Sequence, residues 1–224
     1  MDQEVAKLKE MMTEVEITKA ASMEFCKGKL NATEAVVVRA GVGKVNAACC
    51  TQALIDHFPV SCVINTGIAG SLQASIDIGD IVLATDALEH DMDAVSFGYG
   101  LGQIPGMEVF SFTADEKLRK IAKEGCEKVN PDISVHEGRV VTGDQFVSSK
   151  EKKTWLVEHF DGCCTEMEGA AIAHVAYLNQ IPFLIVRAIS DKADDSAHMD
   201  YPTFEAKAIE HSVRLITEMA GRLA

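Results

Sequence analysis

The sequence predicts a single α/β domain over residues 1–224, built around a parallel or mixed β-sheet. Solidly apolar runs recur along the chain, segments with helical periodicity lie between them, and no repeat or flexible linker interrupts the order. Strands that alternate with helices indicate an α/β fold. Runs that are apolar throughout are typical of strands covered on both faces.

Five runs predict the strands of this sheet. In chain order they are EAVVVRA (34–40), CVINTG (62–67), DIVLATDAL (80–88), GRVVTG (138–143) and PFLIVRAIS (182–190). Helices are expected from residue 2 and over 43–58, 113–129, 166–178 and 202–224. Thr113 and Glu116 have the spacing of a capping box. The loop 89–112 is glycine-rich and aromatic, so we expect it to cover a ligand or another subunit.

Composition restricts the possible partners and the compartment. The formal net charge of −13 argues against nucleic acid, because phosphate neutralisation needs clustered Lys and Arg. No apolar run approaches the ~20 residues of a membrane span. The charged N-terminus has no signal-peptide pattern, so a cytoplasmic location is expected. The seven cysteines lack a CxxC pattern and are expected as free thiols.

The predicted functional residues lie at the carboxyl ends of strands, where open α/β sheets bind ligands. These ends read RAGVGK, NTGIAGS, TGDQF and RAISDKADD, and the first three contain glycines that allow close backbone approach. Neither GxGxxG nor GxxxxGK[ST] occurs, which argues against binding of a nucleotide pyrophosphate.

Three acids at these positions each have a structural and a functional interpretation. Asp191 is either a turn aspartate or a buried acid at a strand end. Glu168 follows Thr165 by three residues, so it is either the acid of a capping box or a ligand group. Glu4 lies in the first turn of a helix, where any acid favours the dipole. Arg187 is buried in an apolar strand and must have a charged partner among the nearby acids.

The segment EHDMD contains His90, Asp91 and Asp93, which are all possible metal ligands. A fourth ligand and a regular spacing are not evident, so a polar loop is the preferred interpretation. No metal is expected.

Motifs along nearly the whole chain resemble those of one enzyme family. GVGKVNAA, INTGIAGSL, VVTGDQFV, EMEGAAIAHVA and IVRAISDKADD, with the loop that begins at residue 89, are similar to 5'-methylthioadenosine/S-adenosylhomocysteine nucleosidases of the purine nucleoside phosphorylase superfamily. The resemblance implies a three-layer sandwich with a central mixed sheet that curls toward a barrel, in a homodimer. It implies hydrolysis of the N-glycosidic bond that releases adenine and a thioribose, without a cofactor.

The resemblance also implies roles for individual residues. Asp191 would protonate adenine N7 and Ser190 would orient it. Glu4 would activate the water, which Arg187 would help to hold. Glu168 would bind the ribose hydroxyls. The remaining implied contacts are Met167 on the sugar, Phe146 stacked on adenine, the Val147 backbone at its edge, further substrate contacts at Val42, Ala69 and Gly70, the aromatic lid Tyr201, and Phe97, Tyr99 and Pro105 from the partner subunit.

Two departures from the family pattern affect this assignment. The family begins with a short strand ahead of M-x-x-E-V, whereas this chain begins at that Met1. Without that strand, Glu4 would not be held rigidly in position. Ile68 stands where relatives often carry a hydroxyl.

Two alternatives to a hydrolase remain. A phosphorylase of the same superfamily would need several basic or hydroxyl groups around phosphate, and Arg187 is the one obvious cation at the sheet edge. A nucleoside-binding protein without activity would not need Asp191, Glu168 and Glu4 together.

Overall fold

A computed structural model describes residues 2–223, except for the side chains of Asp2 and Met199. Its helices are α1 (Asp2–Glu10), α2 (Lys44–His57), α3 (Glu116–Val129), α4 (Lys150–Phe160), α5 (Gly169–Leu178) and α6 (Ala197–Arg222). Its strands are β1 (Thr13–Ala20), β2 (Met23–Leu30), β3 (Thr33–Val38), β4 (Val63–Ser71), β5 (Ile81–Glu89), β6 (Phe112–Thr113), β7 (Val135–Thr142), β8 (Gly162–Glu166) and β9 (Phe183–Asp191).

The larger sheet has six strands in the order β6-β5-β7-β8-β4-β9, and β5 also pairs with β9. That last pairing closes the sheet into a barrel-like shape. Pairs β4–β9, β5–β7 and β7–β8 are parallel, while β4–β8, β5–β6 and β5–β9 are antiparallel. Strands β1, β2 and β3 form a separate antiparallel sheet. The predicted α/β fold with a mixed central sheet is therefore confirmed.

The core follows from the apolar runs of the sequence. Every residue of β9 is buried, as expected for a strand covered on both faces. Helices α2 and α5 pack against each other, and α6 packs with α1, α3 and β9. The carboxyl ends of β4 and β9 are adjacent, because Ala69 pairs with Ile189 and Gly70 with Asp191. This register places the glycines of one strand beside the acid of the other.

Some local predictions were wrong. Thr113 belongs to β6, and α3 is capped by Asp115, whose side chain accepts a hydrogen bond of 2.8 Å from the Leu118 N–H. The predicted helix over 166–178 begins only at Gly169, because the chain up to Glu166 forms β8. The last helix begins at Ala197 instead of residue 202. Strands β1, β2, β6 and β8 and helix α4 were not predicted.

Within residues 2–223, no helix is long and apolar enough to span a membrane. The same residues contain no group of three or more His, Cys, Asp or Glu placed to hold a metal ion. All seven cysteines are free, and Cys49 is the exposed one among them.

Candidate functional site

One cavity of about 900 Å³ opens where β4, β8 and β9 end. Glu4 of α1 also reaches it. Besides Glu4, the predicted residues that line it are Val42, Ala69, Gly70, Phe146, Met167, Glu168, Arg187, Ser190, Asp191 and Tyr201. Eleven residues spread over the sequence therefore meet in one place. The site lies at the strand ends where ligands bind in α/β sheets.

Asp191 is the last residue of β9 and is 3% exposed. Its Oδ1 accepts a hydrogen bond of 2.8 Å from the Ala193 N–H, and its Oδ2 accepts one of 2.9 Å from the Ser190 hydroxyl. Asp191 is thus also a turn aspartate, since its Oδ1 binds the backbone N–H two residues further on. Burial raises the pKa of Asp191, and the negative charges of Asp200 and Asp194 add to that rise. This shift favours the protonated form of the carboxyl.

Gly70 makes room for that carboxyl. A Cβ added at Gly70 would lie 2.7 Å from Asp191 Oδ1 and 2.8 Å from the Ala193 Cβ, closer than real Cβ contacts occur. The glycine in NTGIAGS is therefore required by the packing of the acid on the neighbouring strand.

Arg187 has a charged partner, as the sequence required, and that partner is Glu166. The Arg187 guanidinium donates to Glu166 Oε2 at 2.6 Å, and both side chains are at most 3% exposed. Arg187 also donates to Asn65 Oδ1 and to the Val186 carbonyl. These three acceptors hold the guanidinium in place.

Glu166 was missed in the sequence, although it holds the centre of the site together. Its carboxylate accepts from the backbone N–H groups of Glu168 at 3.0 Å and Gly169 at 2.8 Å, and also from the Thr142 hydroxyl. Burial alone would raise the pKa of Glu166, but the Arg187 charge and these hydrogen bonds together lower it. Glu166 is therefore an ionised group that caps the start of α5.

Glu168 stands at the N-cap of α5, yet its side chain makes no capping hydrogen bond. The capping-box interpretation is wrong. Thr165 belongs to β8, and the Glu168 side chain hydrogen-bonds to the start of α2 instead of its own helix. Its Oε1 accepts a hydrogen bond of 2.8 Å from the N–H of Gly43, which has φ +89° at the start of α2. Burial and the nearby Glu166 charge raise the pKa of Glu168.

Glu4 is 1% exposed and is held from two directions. Its Oε1 accepts hydrogen bonds of 2.6 Å from the Thr66 hydroxyl of β4 and 2.8 Å from the Ser212 hydroxyl of α6. The two hydroxyl oxygens lie 2.5 Å apart. Thr66 and Ser212 were not predicted, and Ser212 gives no local signal in the sequence.

Aromatic rings form one wall of the polar part of the cavity. The Phe146 ring is 5.3 Å from that of His198 and 6.0 Å from that of Tyr201, measured between centroids, and its side chain is 47% exposed. An accessible ring of this kind offers a stacking surface to a planar ligand. The side chain of Val147 does not line the cavity, because it is buried in a small cluster with Leu156 and Phe160.

The aromatic loop residues do not reach the cavity of their own chain. Phe97, Tyr99 and Pro105 are absent from its lining, and Phe97 is 84% exposed. The Phe97 ring is therefore open to contact with another molecule.

The EHDMD segment forms a polar contact region beside the site. The Lys44 ammonium lies 3.0 Å from Glu89 Oε2 and 2.6 Å from Asp91 Oδ1. His90 is buried, which lowers its pKa to about 4. Lys44 offsets part of the negative charge of Glu89 and Asp91, and the buried His90 is neutral.

The arrangement combines groups that suit acid–base chemistry on a polar ligand. A buried carboxyl with a raised pKa can donate a proton. A second buried carboxylate, held by two hydroxyls, can orient or deprotonate a small nucleophile. The glycine-lined strand ends and the aromatic wall leave room for a flat ring.

Comparisons with known proteins agree with this geometry. Residues 1–220 match the family model described as the phosphorylase superfamily. A 5'-methylthioadenosine/S-adenosylhomocysteine nucleosidase of an Exiguobacterium species is 39% identical over 224 residues, which cover 100% of this chain and 95% of the relative.

Two solved structures are similar over nearly their whole length. The nucleosidase of the same description from Neisseria meningitidis, in complex with methylthio-immucillin-A, has a TM-score of 0.95 at 36% identity and covers 99% of this chain and 96% of its own. That of Colwellia psychrerythraea, in complex with adenine, has a TM-score of 0.95 at 37% identity and covers 100% of this chain and 92% of its own.

Proposed function

Since the chain belongs to the 5'-methylthioadenosine/S-adenosylhomocysteine nucleosidase family, we propose that it hydrolyses the N-glycosidic bond of those two nucleosides. The products are adenine and the thioribose, and 5'-deoxyadenosine is a further candidate substrate. The observation that carries the proposal is Asp191, a buried carboxyl with a raised pKa, in one cavity with Glu4.

The departure of adenine is the step that needs the acid. Adenine leaves poorly as an anion, so a proton must reach N7 as the bond from C1' to N9 breaks. We assign that proton to Asp191, with Ser190 orienting the carboxyl through its 2.9 Å hydrogen bond. Burial raises the pKa of Asp191 and so favours the protonated form that this step consumes.

The sugar side of the reaction is assigned to the other two carboxyls. Glu168 binds the ribose hydroxyls and favours the positive charge that develops on the sugar. Glu4 activates the water that forms the new bond to C1', and Arg187 helps to hold that water. Attack from the face opposite adenine predicts inversion at C1'.

The remaining contacts shape the pocket around the nucleoside. Phe146 stacks on adenine and Tyr201 closes over it; the backbone of Val147 reads the edge of the base, and Met167 packs on the sugar. Val42, Ala69 and Gly70 complete the contacts. The protein acts as a homodimer in which loop 89–112 closes the partner's pocket with Phe97, Tyr99 and Pro105. The exposure of Phe97 supports this assignment.

A cytoplasmic role in methionine salvage and in recycling by-products of S-adenosylmethionine fits these substrates. No metal or organic cofactor takes part in the proposed reaction.

Incubation with methylthioadenosine, with and without phosphate, tests the proposal. We expect free methylthioribose and adenine under both conditions. Formation of a sugar 1-phosphate that depends on phosphate would identify a phosphorylase instead. Binding of the nucleoside without release of adenine would identify a binding protein.

A further inference from the structure

The turn between β3 and α2 brings a backbone N–H group to the carboxylate that is proposed to bind the ribose. Glu168 Oε1 accepts a hydrogen bond of 2.8 Å from the Gly43 N–H. Burial raises the pKa of Glu168, and the Gly43 N–H acts against this rise, so it favours the ionised carboxylate. The position of Gly43 therefore affects both the orientation and the charge of the Glu168 side chain.

The backbone of this turn does little by itself to fix that N–H group. Gly41 and Gly43 have φ values of +85° and +89°, and glycine adopts such conformations without steric cost. Gly43 is also the N-cap residue of α2, where it has no side chain that could cap the helix. The position of the turn therefore depends on the contacts that neighbouring residues make with the rest of the chain.

Lys44, the first residue of α2, makes charged contacts of this kind. Its ammonium lies 3.0 Å from Glu89 Oε2 and 2.6 Å from Asp91 Oδ1, and the three side chains are at most 20% exposed. Charge-assisted hydrogen bonds at such low exposure are screened less by water and salt than those of exposed pairs. Glu89 is the last residue of β5, so Lys44 attaches the start of α2 to the central sheet.

A second connection runs from the same turn to the loop that carries Phe146. The Lys44 N–H donates to Asp144 Oδ1 at 2.8 Å, and the Asp144 N–H donates to Asp91 Oδ2 at 2.9 Å. Both donors are backbone groups, so both remain when the Lys44 side chain is replaced. A substitution at Lys44 can therefore disturb the contact with Glu168 while it leaves the attachment of the Phe146 loop in place.

We propose that Lys44 is a positioning residue for Glu168: it holds the start of α2 so that the Gly43 N–H meets the carboxylate, and it thereby strengthens binding of the ribose hydroxyls. This inference rests on the proposed function, in which Glu168 binds those hydroxyls. Lys44, Glu89 and Asp91 lie outside the cavity lining, so they act through Gly43 and not on the ligand. The acids of the EHDMD segment thus contribute to the site through Lys44.

Lys44→Met tests this proposal, because methionine nearly keeps the length of the side chain and removes its charge. Two ligands are titrated by calorimetry: adenine, and formycin A, a carbon-linked analogue of adenosine whose ribose cannot be hydrolysed from the base. We expect formycin A to bind at least about fivefold more weakly and the affinity for adenine to change by less than about twofold. Lys44→Arg keeps the charge and should bind formycin A nearly as tightly as the original chain.

Lys123→Met is the matched control, because Lys123 pairs with Glu137 at 2.7 Å between α3 and β7, and it should change neither affinity. Glu89→Gln removes one charged partner of Lys44 without changing α2, so it should weaken formycin A alone and repeats the measurement if Lys44→Met does not fold. Equal weakening of both ligands, or unchanged binding of formycin A, would refute the positioning role. In a Glu168→Gln background Lys44→Met should add no further loss, and a full additional loss would also refute it.

Hydrogen exchange of the Gly43 amide separates this proposal from the proposed function. In the ligand-free chain, Lys44→Met should speed that exchange at least about fivefold, whereas Lys44→Arg should not. Unchanged exchange in Lys44→Met would refute the positioning role, whatever the chain binds. Faster exchange in a chain that binds neither ligand would support the effect of Lys44 on Gly43 and would refute the proposed function instead.

Discussion

Replacing Glu166 with glutamine removes the charge that compensates Arg187. The pair is joined at 2.6 Å with side chains 2% and 3% exposed, so water cannot replace the lost carboxylate. The two backbone N–H groups of Glu168 and Gly169 share Oε2 with Arg187, and an amide nitrogen there would face three donors. Breaking a buried pair costs roughly 3–5 kcal/mol. Glutamine retains one acceptor oxygen, so we expect a loss of about 3 kcal/mol.

Urea unfolding at neutral pH measures this loss, and a melting curve should show a decrease in Tm of roughly 6–12 °C for a domain of this size. Glu137→Gln is the matched control, because Glu137 pairs with Arg119 at 2.9 Å and Lys123 at 2.7 Å but is 32% exposed. Exposed pairs contribute ~0–1 kcal/mol. Equal costs for the two substitutions would refute the assignment of Glu166 as the compensating charge.

Three further substitutions test the site by steady-state kinetics with methylthioadenosine. Asp191→Asn keeps the size but cannot donate a carboxylic proton, so kcat should fall by at least about 10²-fold while adenine still binds; near-normal turnover would exclude the acid role. Ser212→Ala removes one hydroxyl that holds Glu4, so kcat should fall while KM stays nearly unchanged. Ser212→Thr keeps a hydroxyl and should retain part of the wild-type kcat. An unchanged kcat in Ser212→Ala would refute this positioning role. Gly70→Ala should displace the Asp191 carboxyl and lower kcat, whereas Gly125→Ala in α3, where an added Cβ would meet ordinary contacts at 3.4 Å, should not. Equal effects of the two substitutions would contradict the packing argument.

The buried strand β9 shows how far the sequence could predict the site. Its apolar run predicted the strand correctly, and the charge of Arg187 within that run predicted a buried acidic partner. The identity of that partner was not predicted, because residues 162–166 form a strand of only five residues. The periodicity of so short a run does not distinguish a strand from a helix. The predicted helix over 166–178 included Glu166, so the position of this residue at the end of a strand was not recognised.

For Glu4 the secondary structure was predicted correctly, but its hydrogen-bond partners were not. Its position in the first turn of a helix was predicted correctly, but nothing local indicates what holds its carboxylate. Ser212 is 208 residues away in the chain, and Thr66 is 62 residues away. Contacts of this separation depend on how α1 and α6 pack, which the periodicity of neither helix encodes. The hydroxyls were found only when the elements were placed together.

Asp191, Glu168 and Glu166 affect the stability of the fold in opposite directions. Burial raises the pKa of Asp191 and of Glu168, so the folded chain keeps protons that the unfolded chain releases, and the free energy of unfolding falls as pH rises through that interval. The pKa of Glu166 is lowered, so its stabilising contribution is present above its ordinary pKa and is lost as pH falls. The proposed hydrolysis needs Asp191 protonated, and activity should therefore decline over the same rise in pH that weakens the fold. The burial that suits Asp191 to donate a proton is also what makes its ionised form costly to the folded protein.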